Sequence, residues 1–296
     1  MDRYAKYTGG GYFENMGSCN VTLFLALSGY GLTASWKSDS DMNNYWRNKL
    51  EKIYFPYALI TILWMFVFFT KPLSGKIVFF NVLCININNG LVLDSTMWFL
   101  TFLWLWYIFF YWIMLKKIAT YFKVFCFWMI GFVASSMWNV PEEIAWFAQV
   151  VRWSAFGFPL GVTGYFIMEK INVLFRKKWL ESIWWGIIGI IALAVFHYMY
   201  YTYIFTDCIY EVTGILWTVG VVGIFHLVPT QKEFWKFPIN IKRVIVILPY
   251  MIYLLENKVL QYAIRNQFNL GVYLIYLVAV ACVMGMLVGS FQQAKH

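Results

Sequence analysis

Asn20–Trp36 reads N-V-T-L-F-L-A-L-S-G-Y-G-L-T-A-S-W, and Asn44–Tyr57 reads N-Y-W-R-N-K-L-E-K-I-Y-F-P-Y. The first stretch is an uncharged run long enough for most of a membrane crossing, which takes about 20 residues. The second is a polar link that turns at Tyr54-Phe55-Pro56 into another apolar run. Between them stand Lys37, Arg47, Lys49 and Lys52. Two apolar helices joined by a basic elbow are therefore expected. Lys49 and Lys52 are three apart and share a helical face, and an arginine fork at Arg47 can hold a phosphate through two hydrogen bonds. The elbow thus reads as an anion site at a membrane surface. The same four cations also read as a plain topology signal, because cytoplasmic loops collect Lys and Arg.

Composition makes the membrane reading general. Of 296 residues, 61% are hydrophobic and only 12% charged, against about 45–50% and about 25% in soluble domains. The fold class expected is all-α, polytopic and integral to the bilayer. Nine spans follow from the apolar runs, at about 18–36, 54–71, 96–115, 122–139, 145–168, 183–204, 209–228, 242–262 and 270–290. The run 77–93 is interrupted by Asn81, Asn86, Asn88, Asn89 and Gly90. It is expected to be a half-inserted or re-entrant segment. A net charge of +9 does not call for nucleic acid, because the cations lie in short loops between spans. With 37–53 cytoplasmic, so are 116–123, 169–182, 229–243 and the C-terminus, and these hold sixteen of the 23 Lys and Arg residues. Cys19, Cys84, Cys126, Cys208 and Cys282 are scattered without a metal or redox spacing, so no metal is expected.

Ionisable groups inside spans are costly and are functional candidates for that reason. Arg152 lies nine residues inward from Glu143, about 13 Å, and Glu256 thirteen beyond Arg243, about 20 Å, at 1.5 Å per residue. The two depths nearly coincide in a core about 30 Å thick, so both are expected to face one polar cavity, as an ion pair. The alternative for Glu256 is an interfacial place beside Lys258. His197 and His226 read as packing residues of aromatic helices. Gly29 and Gly31 permit close helix approach, which leaves Ser28 and Tyr30 as cavity-lining or packing residues.

The order of the motifs resembles the membrane acyltransferase 3 family. Ser28-Gly29-Tyr30-Gly31-Leu32 is followed by Lys52-Ile53-Tyr54-Phe55-Pro56-Tyr57, with Lys49 and Lys52 where the family pattern has arginines. Farther on come Trp98-Phe99-Leu100 with Tyr107, then Arg152 with Phe158, Gly161 and Gly164, then Tyr253-Leu254-Leu255-Glu256-Asn257. The resemblance covers about 240 residues. It implies a multi-pass O-acyltransferase of a bacterial-type inner (cytoplasmic) membrane, moving an acyl group, in the first place acetyl, from acyl-CoA to a hydroxyl of a cell-surface or exported saccharide. Acyl-CoA is then a co-substrate and no cofactor is held permanently. Arg47, Lys49 and Lys52 would bind the donor, Ser28, Tyr30 and Trp98 would line the substrate pocket, and Glu256 and Arg152 would be catalytic. The partners are the bilayer, the donor and the saccharide acceptor.

The chain departs from the pattern at its start. The family's first helix carries a histidine, and residues 1–8 have neither a histidine nor the length of a span. Residues 1–17 are read as a short stub and 18–296 as one membrane domain, either preceded by more chain or shortened and inactive. A transporter or flippase for a lipid-linked sugar is the alternative from another class. Internal repeats would favour it.

Overall fold

The structure, a computed structural model, describes residues 16–38, 42–68, 73–88, 90–174, 178–202, 207–225 and 239–293. Among them there is helix and no strand. The helices are α1 (Met16–Ser38), α2 (Tyr45–Lys49), α3 (Phe55–Phe68), α4 (Gly75–Val82), α5 (Trp98–Leu115), α6 (Thr120–Ser135), α7 (Glu142–Ser154), α8 (Gly157–Leu174), α9 (Lys178–Thr202), α10 (Asp207–Phe225), α11 (Ile239–Arg265) and α12 (Leu270–Gln293). A π-helical turn, Leu50–Tyr54, joins α2 to α3, and a 3-10 turn, Ser95–Met97, leads into α5. Ser95–Leu115, Leu180–Met199 and Leu270–Val288 are long and apolar enough to cross a membrane. Thr120–Ser135 and Tyr210–Phe225 are shorter apolar helices.

Among the described residues, helices fall on the nine expected spans except at 145–168, where the sequence reads as one run and the structure has two helices. The break falls at Ala155-Phe156, between α7 and α8. Pro159 supplies the reason: it has no N–H to bond the carbonyl of residue 155, and its ring clashes with that carbonyl in a continuous helix. Segment 77–93 is short helix followed by irregular chain. The eight residues of α4 rise about 12 Å, less than half of a hydrocarbon core about 30 Å thick.

The chain forms two compact units, the first from Asn43–Thr101 and Gln231–His296, the second from Tyr12–Met42 and Phe102–Thr230. In the first, α11 packs on α12 and on α3, and α4 packs on α3. In the second, α1 lies against α8 and α10, and α9 lies against α10.

The α1–α8 contact in the second unit is backbone against backbone. A Cβ on Gly29 would come within 2.5 Å of the Phe158 carbonyl oxygen, one on Gly157 within 2.6 Å of the Thr22 carbonyl oxygen, and one on Gly161 would overlap the Ala26 carbonyl. Only glycine allows this approach. Behind it sits an aromatic core in which Trp106 stacks on Phe158 at 4.9 Å, with Phe110 and Phe127 alongside.

The ends of several helices of this unit meet in one place. Lys37 pairs with Glu169 at 3.4 Å. Lys123 donates to the Met114 carbonyl at 2.8 Å and lies 4.5 Å over the Trp36 ring. The C-terminal ends of α1, α5 and α8 and the first turn of α6 are therefore neighbours at one end of the unit.

Candidate functional site

Three of the sequence motifs meet in the first unit. The elbow is a short helix that widens into a π turn and runs on as α3 without leaving helical geometry. Arg47 is exposed and pairs with Glu51 at 3.3 Å, one turn on. Lys49 is half-buried with its ammonium 5.5 Å over the Tyr45 ring. Burial, and then the charge of Lys52, pull the Lys49 ammonium down to about 8. Lys52 is exposed. The elbow thus holds three cations and one carboxylate, and Glu51 is the member that the reading of the sequence passed over.

Beyond the elbow, a polar network ties α3, the asparagine-rich segment and α11 together. Tyr54 donates to the Val82 carbonyl at 3.0 Å and Tyr57 to the Asn81 carbonyl. Asn81 spans its own segment, its amide donating to the Ile77 and Leu91 carbonyls while its side-chain oxygen accepts from Leu93 N–H at 3.0 Å. Asn86 donates to the Tyr57 hydroxyl at 3.2 Å, and its backbone N–H donates to Thr101 Oγ1 at 3.0 Å. Thr101 in turn donates to the Cys84 carbonyl at 2.8 Å. Cys84 has φ +60°, and with Ile85 N–H donating to the Phe80 carbonyl at 2.9 Å it ends α4. Buried polar groups in an apolar setting must be paired, and these asparagines satisfy the irregular backbone where no helix does.

A buried ion pair closes the network. Asp94 caps the 3-10 turn before α5, accepting from Thr96 N–H at 3.0 Å and from the Thr96 hydroxyl at 2.7 Å. The same carboxylate accepts from Asn257 at 2.7 Å and from Lys258. Both charged side chains are almost fully buried. Burial alone would raise the Asp94 carboxyl, but the Lys258 charge and the donors from Lys258, Thr96 and Asn257 outweigh it and hold the group below its ordinary value. Tyr253 adds a hydrogen bond to the Thr96 carbonyl and an edge contact to Phe99 at 5.4 Å. Trp98 is buried at the start of α5 with its ring edge-on to Phe99.

The proposed site residues are distributed as follows. Arg47, Lys49, Lys52, Trp98 and Glu256 belong to the first unit, and Ser28, Tyr30 and Arg152 to the second. Glu256 is exposed on α11, whereas Asn257 and Lys258 face Asp94. Among the described side chains of this helix the buried charge is therefore Lys258, which the sequence suggests only as an interfacial cation. In the second unit Arg152 is buried, donates to the Met137 carbonyl at 2.8 Å and lies 3.9 Å from the Trp138 ring centre. Ser28 shares a side-chain hydrogen bond with Tyr107, and Tyr30 meets Tyr165 edge-on at 5.4 Å. His197 is exposed on α9. His226 and Cys208 lie outside the residues whose side chains are described. No cluster of His, Cys, Asp or Glu able to hold a metal occurs among the described residues.

Asp94, Asn81, Asn86, Tyr57 and Lys258 are the network members that the sequence reading did not single out as site residues. Their signal was present in kind: four asparagines and an aspartate interrupting an apolar stretch, and a lysine inside a predicted span. A family model described as an acyltransferase domain matches residues 2–291. No curated protein and no solved structure matches the chain.

Proposed function

The chain belongs to the acyltransferase 3 family, and from that premise we propose that it is a multi-pass O-acyltransferase of a bacterial-type cytoplasmic membrane, moving an acetyl group from acetyl-CoA to a saccharide hydroxyl. The saccharide is one exposed on or exported to the cell surface. In the transfer the hydroxyl oxygen forms the new bond to the thioester carbonyl, the carbon–sulfur bond breaks, and the hydroxyl proton ends on the departing thiolate. The chemistry needs a base for that proton, positive charge near the carbonyl oxygen and a grip on the anionic carrier.

The observation that carries this reading is the elbow. Arg47, Lys49 and Lys52 stand within six residues on continuous helical backbone, at the start of a helix whose Tyr54 and Tyr57 are anchored to a polar network. A carrier with several phosphates offers oxygens to an arginine fork and two ammonium groups. Within this reading Glu256 is assigned as the base and Arg152 as a charge-stabilising group, and each assignment is tested by itself.

The test is acetyl-CoA turnover by purified protein in detergent or nanodiscs with a panel of saccharides. Thiol release that depends on a saccharide, with Glu256→Gln lowering kcat, supports the proposal. Thioester cleavage absent with every saccharide, together with saccharide flux across vesicles, overturns it in favour of a transporter.

A further inference from the structure

The first unit also has a groove of about 370 Å³ that the acyl-transfer reading does not use. Its walls are apolar side chains of three helices, chiefly Ile60 and Leu63 of α3, Val259 of α11, and Val280 and Met284 of α12. It opens outward, with Leu63 44% and Tyr276 40% exposed at its edges. The volume is that of a site for a small molecule or a single hydrocarbon chain.

The lining also holds the indole of Trp64 and the phenols of Tyr262 and Tyr276, and one of its residues is charged. Lys258 contributes to the groove, and its side chain is only 4% exposed. An ammonium carries three N–H donors. Asp94 accepts from Lys258, and so does the Leu254 carbonyl at 2.9 Å. The third meets no acceptor among the described residues. A buried donor left unpaired is costly, and more so when charged, so an oxygen presented from the groove would be stabilising.

The kind of oxygen follows from the local charge. Asp94 already neutralises Lys258, so a full anion would meet repulsion from the carboxylate and its own desolvation cost. A neutral carbonyl oxygen meets neither. Lys258 also lies four residues inside the end of the expected span 242–262, about 6 Å by helical rise. An ester carbonyl, whose ordinary place is the edge of the hydrocarbon core, would be drawn inward by about 6 Å to meet the ammonium.

We propose that the groove between α3, α11 and α12 seats one chain of an ester-linked membrane lipid, whose ester carbonyl accepts a hydrogen bond from Lys258. The site is distinct from the donor elbow, and it stands whether or not acyl-CoA is the donor.

The test places the protein in nanodiscs of phosphatidylcholine bearing a photoreactive diazirine on one chain, and maps the labelled residues by peptide mass spectrometry. A parallel sample uses the ether-linked analogue, which lacks the carbonyl. The expected result is labelling of Leu63, Val259 and Met284 that clearly exceeds that of Ile187, Ile190 and Ile191 on the exposed face of α9. With the ether lipid it should fall by about tenfold, the factor that loss of one charged hydrogen bond implies. Val280→Trp should abolish groove labelling while helicity and thermal midpoint stay unchanged. Equal labelling of groove and α9 would mean annular lipid alone and would overturn the proposal, as would ester and ether lipids that label the groove equally.

Discussion

The two units are held by opposite means. In the second, α1 and α8 touch through glycines, and the motif residues Gly29, Phe158 and Gly161 are spent on the contact itself. In the first, the motif residues Tyr57, Tyr253 and Asn257 are spent on hydrogen bonds to an irregular segment and to a buried ion pair. The contrast separates two kinds of motif in one family pattern. Gly29 and Gly161 there mark backbone approach, which tolerates no added atom. Polar ones mark a stitched network, which tolerates no missing partner.

The largest expected effect is on the stitched side. Asp94→Ala leaves Lys258 charged, buried and without its carboxylate, which should cost about 3–5 kcal/mol and appear as a sharply lowered thermal midpoint in detergent. The double variant Asp94→Asn with Lys258→Met removes both charges and should recover a good part of that loss. If the single and double variants melt alike, the ion pair is not what holds α11 to the segment before α5.

On the close-packed side, Gly161→Ala forces a methyl group into the Ala26 carbonyl and should cost about 3 kcal/mol through overpacking. Gly31 and Gly164 have nothing within 4 Å of an added Cβ. The same change there should stay within about 0.5 kcal/mol of wild type or stabilise slightly, since alanine is the better helix residue. Equal losses at Gly161 and Gly164 would break the distinction.

Smaller effects belong to the elbow. Lys49→Gln should raise the KM for acetyl-CoA by about three- to five-fold at physiological salt, the size of a partly screened charge contact, while kcat is kept. The Lys49 group is brought down to about 8, so it is charged below that pH and neutral above. The KM of the wild type should therefore rise as pH passes from 7 to 9. Lys49→Arg keeps the charge throughout and should flatten the rise. A Lys49→Gln enzyme with the same pH dependence as wild type would exclude Lys49 as its source.

The smallest effect is in acid. Asp94 is held below its ordinary value, so its contribution is present above the unfolded-state value, about 3.9, and is lost as pH falls through the lower folded-state value. The thermal midpoint should show no loss from this pair between pH 5 and 7.

Much of this was legible in the residues. The helices fall on the apolar runs, and Asn86 and Asn88 lie in irregular chain after the short helix α4 rather than in a crossing. The elbow lies where Lys37 to Tyr57 puts it. What was not legible was the partner of each polar group. Ser28 and Tyr30 read equally as pocket or packing, and in the structure Ser28 bonds Tyr107 while Tyr30 meets Tyr165. The helix break at Ala155-Phe156 was hidden because both sides are apolar, and only Pro159 marks it.

By itself the sequence determined an all-α membrane chain of the acyltransferase 3 kind, because apolar run length, the placement of cations and the order of motifs are properties of a line of residues. The choice between Glu256 and Lys258 as the buried charge of α11 was decided by tertiary structure. Two residues apart on a helix, they point about 160° away from each other. Only the packing of the Asp94 turn against one face, and not the other, selects which of them leaves the surface.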